Sequence, residues 1–296
     1  MSSVADRSDA RASNSPTSVA DVTARMAAII GDAQEARELI ALTLDRPRYW
    51  PLLAAAEELD VGDAAALLAA ASTRAAGAPM QYAAGHAWFR DLTLEVDARV
   101  LIPRPETELL VDLVLEATAG EPGGVAVDVG TGSGAIALSL AAEGHFDRVI
   151  ATDVSLDALD VARRNAVRAA TDARVVFRHG ALLSPVPERQ VRAVVSNPPY
   201  ISFDEAVELP DSVRDWEPAV ALYAGRNGLA ITTDLVRQAA PVLRGGGVLA
   251  LEVDVRRAAT VAEYVAAQGA YENVRVVLDL TGRERFVVAT RREDRE

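Results

Sequence analysis

The chain has 296 residues, of which half are hydrophobic and a quarter are charged, and it contains no cysteine. This length allows one sizeable core and a smaller second one, while the missing cysteines exclude disulfides, thiolate metal sites and cysteine nucleophiles. The formal net charge of -13 disfavours nucleic-acid partners, and no apolar span or signal peptide is recognisable, so we expect a cytoplasmic protein without a metal, a membrane or a direct nucleic-acid partner.

The first 80 residues fall into two segments of different composition. Residues 1–17 are rich in Ser, Ala, Asp and Arg without apolar periodicity, which predicts a disordered tail. In residues 18–80 apolar side chains recur at helical spacing, which predicts a bundle of about four helices. Two interpretations of this bundle are open: a structural cap, and a domain that docks a protein substrate.

The rest of the chain predicts a hairpin followed by an α/β domain. Residues 81–105 show the two-residue alternation of short strands, which predicts a β-hairpin linker. In residues 106–296 the predicted strands are Val125–Val129, Arg148–Asp153, Val175–Arg178, Val191–Ser196, Val248–Val253, Val274–Leu278 and Phe286–Thr290. The predicted helices between them are Ala135–Ala142, Leu156–Ala169, and residues near 229–243 and 256–268. This alternation predicts a Rossmann-like, mostly parallel sheet with helices on both faces, whose last strand is antiparallel as in seven-stranded class I methyltransferases.

A glycine-rich turn joins the first predicted strand of this sheet to the following helix. It consists of Asp128, Val129, Gly130, Thr131, Gly132, Ser133 and Gly134. Glycine lets a ligand approach the backbone, and the helix end offers unpaired N–H groups, so the turn predicts a nucleotide-type site. Its G-x-G-x-G spacing differs from the G-x-G-x-x-G of dinucleotide sites, which favours S-adenosylmethionine, a ligand without a phosphate. A tight turn without a ligand is the competing interpretation.

An acidic residue ends the second predicted strand. The carboxylate of Asp153 can accept hydrogen bonds from both hydroxyls of a ribose. Taken alone, Asp153 is equally well explained as a helix N-cap. Together with Asp128, it predicts two acids around one cofactor cleft.

The fourth predicted strand delivers Asn197, Pro198, Pro199 and Tyr200 at its carboxyl end, where open parallel sheets hold their substrates. An amide nitrogen is a poor nucleophile, because its lone pair is delocalised into the carbonyl group. The side-chain oxygen of Asn197 and the backbone carbonyl of Pro198 can accept its two hydrogens, and both prolines make this backbone rigid. Tyr200 offers a flat face for a planar amide or base. The tetrapeptide therefore predicts a substrate and catalytic site, with an ordinary loop as the alternative.

Further motifs extend over nearly the whole chain after the tail. They are Gly77 to Tyr82 with Gly85, Leu101-Ile102-Pro103-Arg104-Pro105-Glu106-Thr107-Glu108, Glu217-Pro218 with Gly225 and Gly228, Gly246-Gly247 before Leu251-Glu252, and Asp279 to Gly282 with Arg285. With these motifs the chain resembles the HemK-type protein-glutamine methyltransferases.

The resemblance implies a helical N-terminal domain, a β-hairpin linker and a seven-stranded methyltransferase domain. It implies S-adenosylmethionine as cofactor and transfer to the glutamine of the Gly-Gly-Gln loop in peptide chain release factors, which modulates translation termination. The run from Leu101 to Glu108 looks like the branch that acts on release factors.

Two positions depart from the family pattern. Ala181 stands where an acid usually lies next to the adenine, followed by Leu182, which we assign to the cofactor site. Val253 and Asp254 replace a glycine that usually follows Leu251-Glu252. Neither departure touches the predicted amide site.

Two alternative functions are weighed against this one. A DNA methyltransferase acting on the exocyclic amine of adenine shares the Asn-Pro-Pro-aromatic motif, but the acidic charge and the missing basic recognition region disfavour it. A catalytically weak scaffold that binds a release factor without methylating it is supported by Ala181 alone.

Overall fold

The computed structural model describes residues 17–225 and 227–293. The predicted disordered tail lies outside the described residues except for Thr17, which begins a two-residue strand. The chain divides after Ala84 into two compact units. The predicted domains of residues 18–80, 81–105 and 106–296 remain a proposal.

The smaller unit is helical. Its elements are β1 (Thr17–Ser18), α1 (Val19–Ile30), α2 (Ala33–Thr43), α3 (Trp50–Leu53), β2 (Glu58–Leu59), α4 (Val61–Ala75) and α5 (Met80–Ala84). Ser18 begins α1 with a reciprocal capping box to Asp21, and Gly31 ends it at a φ of 90°, a left-handed conformation that glycine adopts without strain. Asp32 and Asp60 cap α2 and α4 through their carboxylates. The periodic apolar side chains form the core of this unit, which includes Val22, Met26, Leu39, Ile40 and Leu67.

The larger unit begins with a hairpin and continues as an α/β domain. The hairpin consists of β3 (His86–Phe89) and β4 (Leu92–Glu95). The following elements are α6 (Pro105–Ala117), β5 (Val125–Val129), α7 (Ala135–Glu143), β6 (Arg148–Asp153), α8 (Leu156–Arg168), β7 (Val175–His179), β8 (Val191–Ser196), a 3-10 helix (Phe203–Glu208), α9 (Asp211–Arg214), α10 (Ala219–Leu222), α11 (Ala230–Ala239), β9 (Leu243–Glu252), α12 (Ala258–Ala267), β10 (Tyr271–Leu278) and β11 (Glu284–Arg291).

Seven of these strands form one sheet in the order β10-β11-β9-β8-β5-β6-β7. The strands from β5 to β9 pair in parallel, and β11 pairs antiparallel with both of its neighbours. The predicted α/β fold class, with an antiparallel last strand, is therefore confirmed. The chain crosses from β7 back to β8 beside β5, and in such sheets the cleft at this reversal of strand order is where ligands bind.

Both faces of the sheet are buried. Because successive side chains of a strand point to opposite faces, Ala126 joins one core with residues of α6 and α7, while Val127 and Val129 join a second core with residues of α11 and α12. Because both faces are buried, the sequences of these strands are nearly continuous runs of apolar residues. Within the described residues, no helix has both the length and the apolar character needed to cross a bilayer.

Three parts of the element prediction were wrong or incomplete. The helix predicted to reach residue 243 ends at Ala239, since Pro241 has no N–H to continue it and restricts the residue before it. Strand β9 begins five residues before the predicted Val248 and contains a register shift opposite Val191 and Ala193. Helix α6 was not predicted, although Pro105 at its first position, followed by two acidic residues in the first turn, is a favourable helix start.

Candidate active site

A cavity of about 400 Å³ opens at the carboxyl ends of the central parallel strands in the larger unit. Five of the residues predicted to bind a cofactor line it, namely Gly130, Gly132, Asp153, Leu182 and Asn197. Its wall is mainly apolar and includes Ala181 and the cation Arg99. The predicted residues Asp128, Thr131, Ser133 and Gly134 do not line the cavity.

The backbone of the glycine-rich turn is held by the end of β6. The N–H groups of Gly130 and Thr131 both donate to the carbonyl oxygen of Thr152, at 2.8 and 2.9 Å. The N–H of Gly132 donates to Oδ2 of Asp153 at 2.9 Å. These three residues lie in the turn before α7, so the unpaired N–H groups expected at the helix end are not theirs. The bonded amides of Gly130, Thr131 and Gly132 are not available to cradle an anion, which suits a ligand without a phosphate.

The glycines of the turn have different roles. A side-chain carbon built on Gly130 or Gly132 would meet no atom within 4 Å, so both glycines leave the cavity open, and both have positive φ. A side-chain carbon on Gly134 would lie 3.2 Å from Leu138 and 3.4 Å from Ala162. Gly134 therefore allows α7 to pack closely and does not contact the cavity.

Asp128 and Ser133 support the turn from behind. Oδ2 of Asp128 accepts hydrogen bonds from Oγ1 of Thr131 at 2.6 Å and from the N–H of Ala137 at 3.1 Å. Burial raises the pKa of Asp128 to about 7. The carbonyl oxygen of Ser133 accepts a bond from Nδ2 of Asn165 at 2.9 Å. These contacts fasten the turn to α7 and α8.

Asp153 is the acid that faces the cavity. Its Oδ1 accepts the N–H of Ser155 at 2.9 Å, and each carboxylate oxygen keeps a second lone pair for a ligand hydroxyl. Burial raises the pKa of Asp153, while hydrogen bonds from three backbone N–H groups counteract this rise. Beside it, the carbonyl oxygen of Leu182 accepts a bond from Oγ1 of Thr152 at 3.0 Å, which holds Leu182 at the cavity wall with a φ of 51°.

A second cavity, of about 300 Å³, adjoins the first at the Asn-Pro-Pro-Tyr segment. Asn197 and Pro198 line both cavities, Pro199 lines the first, and Tyr200 lines the second. Nδ2 of Asn197 donates to Oγ1 of Thr107 at 3.1 Å, which leaves Oδ1 as an acceptor. In the described part of the chain, neither this oxygen nor the carbonyl of Pro198 receives a hydrogen bond from the protein.

Tyr200 is held beside this corner in its neutral form. Burial raises the pKa of its phenol to about 12, and the nearby carboxylate of Glu252 contributes to the rise. A neutral phenol does not take a proton from an amide at physiological pH. Tyr200 can therefore serve as a packing surface.

Several residues of the site were not singled out individually from the sequence. Nη2 of Arg104, which lines the second cavity, donates to Oε1 of the buried Glu217 at 2.6 Å, and the N–H of Ile102 donates to Oε2 at 3.3 Å. The carboxylate of Glu217 thus ties together two motifs that lie more than a hundred residues apart. The family pattern was the only feature of the sequence that pointed to these residues, because the contact between the two motifs is set by the fold.

Comparisons with known proteins agree with this geometry. Residues 105–209 match the family model of the methyltransferase small domain. A release factor glutamine methyltransferase from Moorella thermoacetica is 43% identical over 254 residues, which cover 86% of this chain and 89% of that protein. The chain belongs to the release factor glutamine methyltransferase family. Another member, from Deinococcus radiodurans, is 40% identical over 257 residues, covering 87% of this chain and 90% of that protein.

Among solved structures, a methyltransferase from Pyrococcus furiosus matches the fold with a TM-score of 0.53 at 21% identity, over 69% of this chain and 90% of that chain. The matches to release factor glutamine methyltransferases confirm the resemblance that the motifs indicated, and the family uses S-adenosylmethionine as methyl donor. The larger cavity fits this cofactor. It has an apolar wall for the adenine, the acceptor Asp153 for the ribose, and open space over Gly130 and Gly132.

Among the described residues, no cluster of three or more His, Asp or Glu side chains has the arrangement of a metal site.

Proposed function

We propose that this protein transfers a methyl group from S-adenosylmethionine to the side-chain amide nitrogen of the glutamine in the Gly-Gly-Gln loop of a peptide chain release factor, in the cytoplasm. The observation that carries the proposal is that two cavities meet at Asn197 and Pro198. One cavity suits the cofactor, and the other opens beside two free acceptor oxygens. A release-factor glutamine is the acceptor named for the relatives in the family.

The cofactor-binding role belongs to the residues of the larger cavity. Asp153 accepts the ribose hydroxyls, Gly130 and Gly132 allow close approach, and Leu182 packs beside the adenine. Asp128, Thr131, Ser133 and Gly134 act indirectly by fixing the turn. The bound cofactor supplies an electrophilic methyl carbon on a sulfonium centre.

The amide-binding role belongs to the segment from Asn197 to Tyr200. Oδ1 of Asn197 and the carbonyl of Pro198 accept the two hydrogens of the glutamine NH2, which draws electron density toward the nitrogen and aims its lone pair at the larger cavity. Pro199 stiffens this backbone, and Tyr200 supports the plane of the amide. The nitrogen would gain the methyl carbon as the carbon–sulfur bond breaks, with that electron pair left on sulfur. The nitrogen gives up one proton to solvent, so no strong base is required.

The function is tested by incubating the protein with a release factor and S-adenosylmethionine. Mass spectrometry of the Gly-Gly-Gln peptide is expected to show the mass of one added methyl group on the glutamine. A release factor in which this glutamine is changed to alanine is the control, and it should remain unmodified. Methylation at another residue, or none with cofactor bound, would overturn the proposal. Methylation of adenine in DNA would instead favour the alternative function.

The helical unit is proposed to dock the release factor, since one glutamine side chain offers little surface for specificity. Its helix α3 and the residue before it expose apolar side chains to solvent, with Tyr49 70%, Leu52 59% and Leu53 87% exposed. Exposed apolar side chains that lie together are common in protein interfaces. These three residues are therefore candidates for contact with the substrate protein.

The double substitution Leu52→Ser and Leu53→Ser tests this docking role. We expect KM for intact release factor to rise by about tenfold or more, because burial of such side chains is worth ~1.5–3 kcal/mol each, while KM for a short Gly-Gly-Gln peptide is unchanged. Val167→Ser, at an equally exposed position on α8, is the matched control. An equal change for both substrates would contradict docking by α3.

A further inference from the structure

Three polar side chains from different parts of the larger unit form a hydrogen-bonded row behind the amide site. Asn197 follows β8, Thr107 lies in the first turn of α6, and Glu252 ends β9. Nδ2 of Asn197 donates to Oγ1 of Thr107 at 3.1 Å, and the same hydroxyl donates to Oε2 of Glu252 at 2.7 Å. Thr107 is 4% exposed and Glu252 is 1% exposed. Neither residue lines either of the two cavities described above, so neither is placed to contact the cofactor or the substrate.

The number of hydrogens that each group can donate determines the direction of the hydrogen bonds in this row. A threonine hydroxyl has one hydrogen, and an ionised carboxylate has none. When Thr107 gives its hydrogen to Glu252, its oxygen can only accept from Asn197. The amide of Asn197 must then present its NH2 group to Thr107 and turn its oxygen away from Thr107. We propose that Thr107 and Glu252 are positioning residues that set the amide orientation of Asn197, an inference that rests on the proposed function.

The orientation matters because the two ends of an asparagine amide have nearly the same shape and opposite polarity. With Oδ1 directed at the substrate, Asn197 accepts a hydrogen from the glutamine NH2. In the flipped orientation, Asn197 would direct its own NH2 at that group, and two donors would face each other. Thr107 and Glu252 therefore favour the productive orientation of Asn197 over the unproductive one, although neither residue touches the substrate.

The ionisation of Glu252 is part of this arrangement. Burial raises its pKa to about 7, while Arg285 and Arg104 counteract the rise and Glu106 adds to it. The charge of this carboxylate also raises the pKa of the Tyr200 phenol nearby. Once protonated, Glu252 can donate to Thr107, and Thr107 can then donate to Oδ1 of a flipped Asn197. The orientation is therefore fixed above the pKa of Glu252 and relaxed below it, so kcat is expected to fall as pH drops through about 7.

The first test compares Thr107→Val with Thr107→Ser. Valine keeps the shape but removes the hydroxyl, so the amide of Asn197 can adopt the unproductive orientation. We expect kcat for release-factor methylation to fall by about tenfold or more, because the hydrogen bond that fixes this orientation is lost. Serine keeps the hydroxyl and is expected to retain kcat within about threefold. Calorimetry should give the same S-adenosylmethionine affinity for both variants and the unmodified protein. If valine and serine have equal effects, or if cofactor affinity falls along with kcat, the inference is overturned.

The second test is the pH profile of Glu252→Gln, which also serves if Thr107→Val does not fold. Glutamine does not titrate, so the fall in kcat below about pH 7 should disappear whichever end of its amide faces Thr107. A variant that keeps the same fall would overturn the inference. The wild-type protein separates failure of this inference from failure of the proposed function. If wild type does not methylate the glutamine of the Gly-Gly-Gln loop, the proposed function itself is wrong.

Discussion

Replacing Asn197 with alanine should separate catalysis from cofactor binding. The substitution removes Oδ1, one of the two free acceptor oxygens where the cavities meet, and leaves the carbonyl of Pro198 in place. Loss of one preorganised hydrogen bond to a reacting group lowers kcat by about 10²–10³-fold, or ~2.7–4 kcal/mol. Asn197 is only one of many residues around the larger cavity, so the dissociation constant for S-adenosylmethionine should change by less than about threefold.

The assay has two parts: single-turnover methylation of a release factor, and calorimetric titration with the cofactor. Gln268→Ala is the matched control, because this amide donates to the carbonyl of Tyr264 at 3.4 Å and lines neither cavity. The control should leave both measurements unchanged. The reasoning is refuted if Asn197→Ala weakens cofactor binding as much as it slows transfer, since Asn197 would then act mainly on the cofactor.

Three further substitutions probe the larger cavity and its support. Asp153→Ala should weaken S-adenosylmethionine binding by about 10- to 100-fold in calorimetry, as loss of hydrogen bonds to a charged acceptor predicts; an unchanged affinity would remove Asp153 from the ribose site. Ala181→Asp should tighten S-adenosylmethionine binding by up to about tenfold if this position lies beside the adenine amine. A wild-type protein that does not bind S-adenosylmethionine at all would favour the alternative of a scaffold that binds a release factor without methylating it. Asp128 has its pKa raised from 3.8 to about 7, so the folded state keeps a proton that the unfolded state releases, and the free energy of unfolding falls as pH rises between these values. Urea unfolding at about pH 5 and about pH 8 should therefore show the unfolding free energy of wild type falling relative to Asp128→Asn; a constant difference would contradict the burial argument.

The sheet was predictable because its strands carry strong local signals. Val125–Val129, Arg148–Asp153 and Val191–Ser196 occur at the predicted residues, since burial on both faces requires unbroken apolar runs. Boundaries set by single residues were harder to predict. The end of α11 depends on Pro241, and the early start of β9 depends on pairing with β8 across a register shift, which local periodicity does not reveal.

The candidate site was predictable where it follows strand ends and unpredictable where it depends on distant partners. Gly130 and Asn197 directly follow strands of the parallel sheet and Asp153 ends one, and their positions at one edge follow from that topology. Thr107 lies in a helix that the sequence did not reveal, and its partner Glu252 is 145 residues away along the chain. Contacts of this kind are created by tertiary folding, so periodicity and motif spacing give no local sign of them.

The bonded amides of the glycine-rich turn have a consequence for the thermodynamics of cofactor association. Because the end of β6 already holds Gly130, Thr131 and Gly132, little backbone must be ordered when the cofactor arrives. Association then carries a small unfavourable conformational entropy, and its heat-capacity change reflects mainly the apolar surface covered by the adenine. A turn built in this way favours rapid, single-step exchange of spent cofactor for fresh between turnovers.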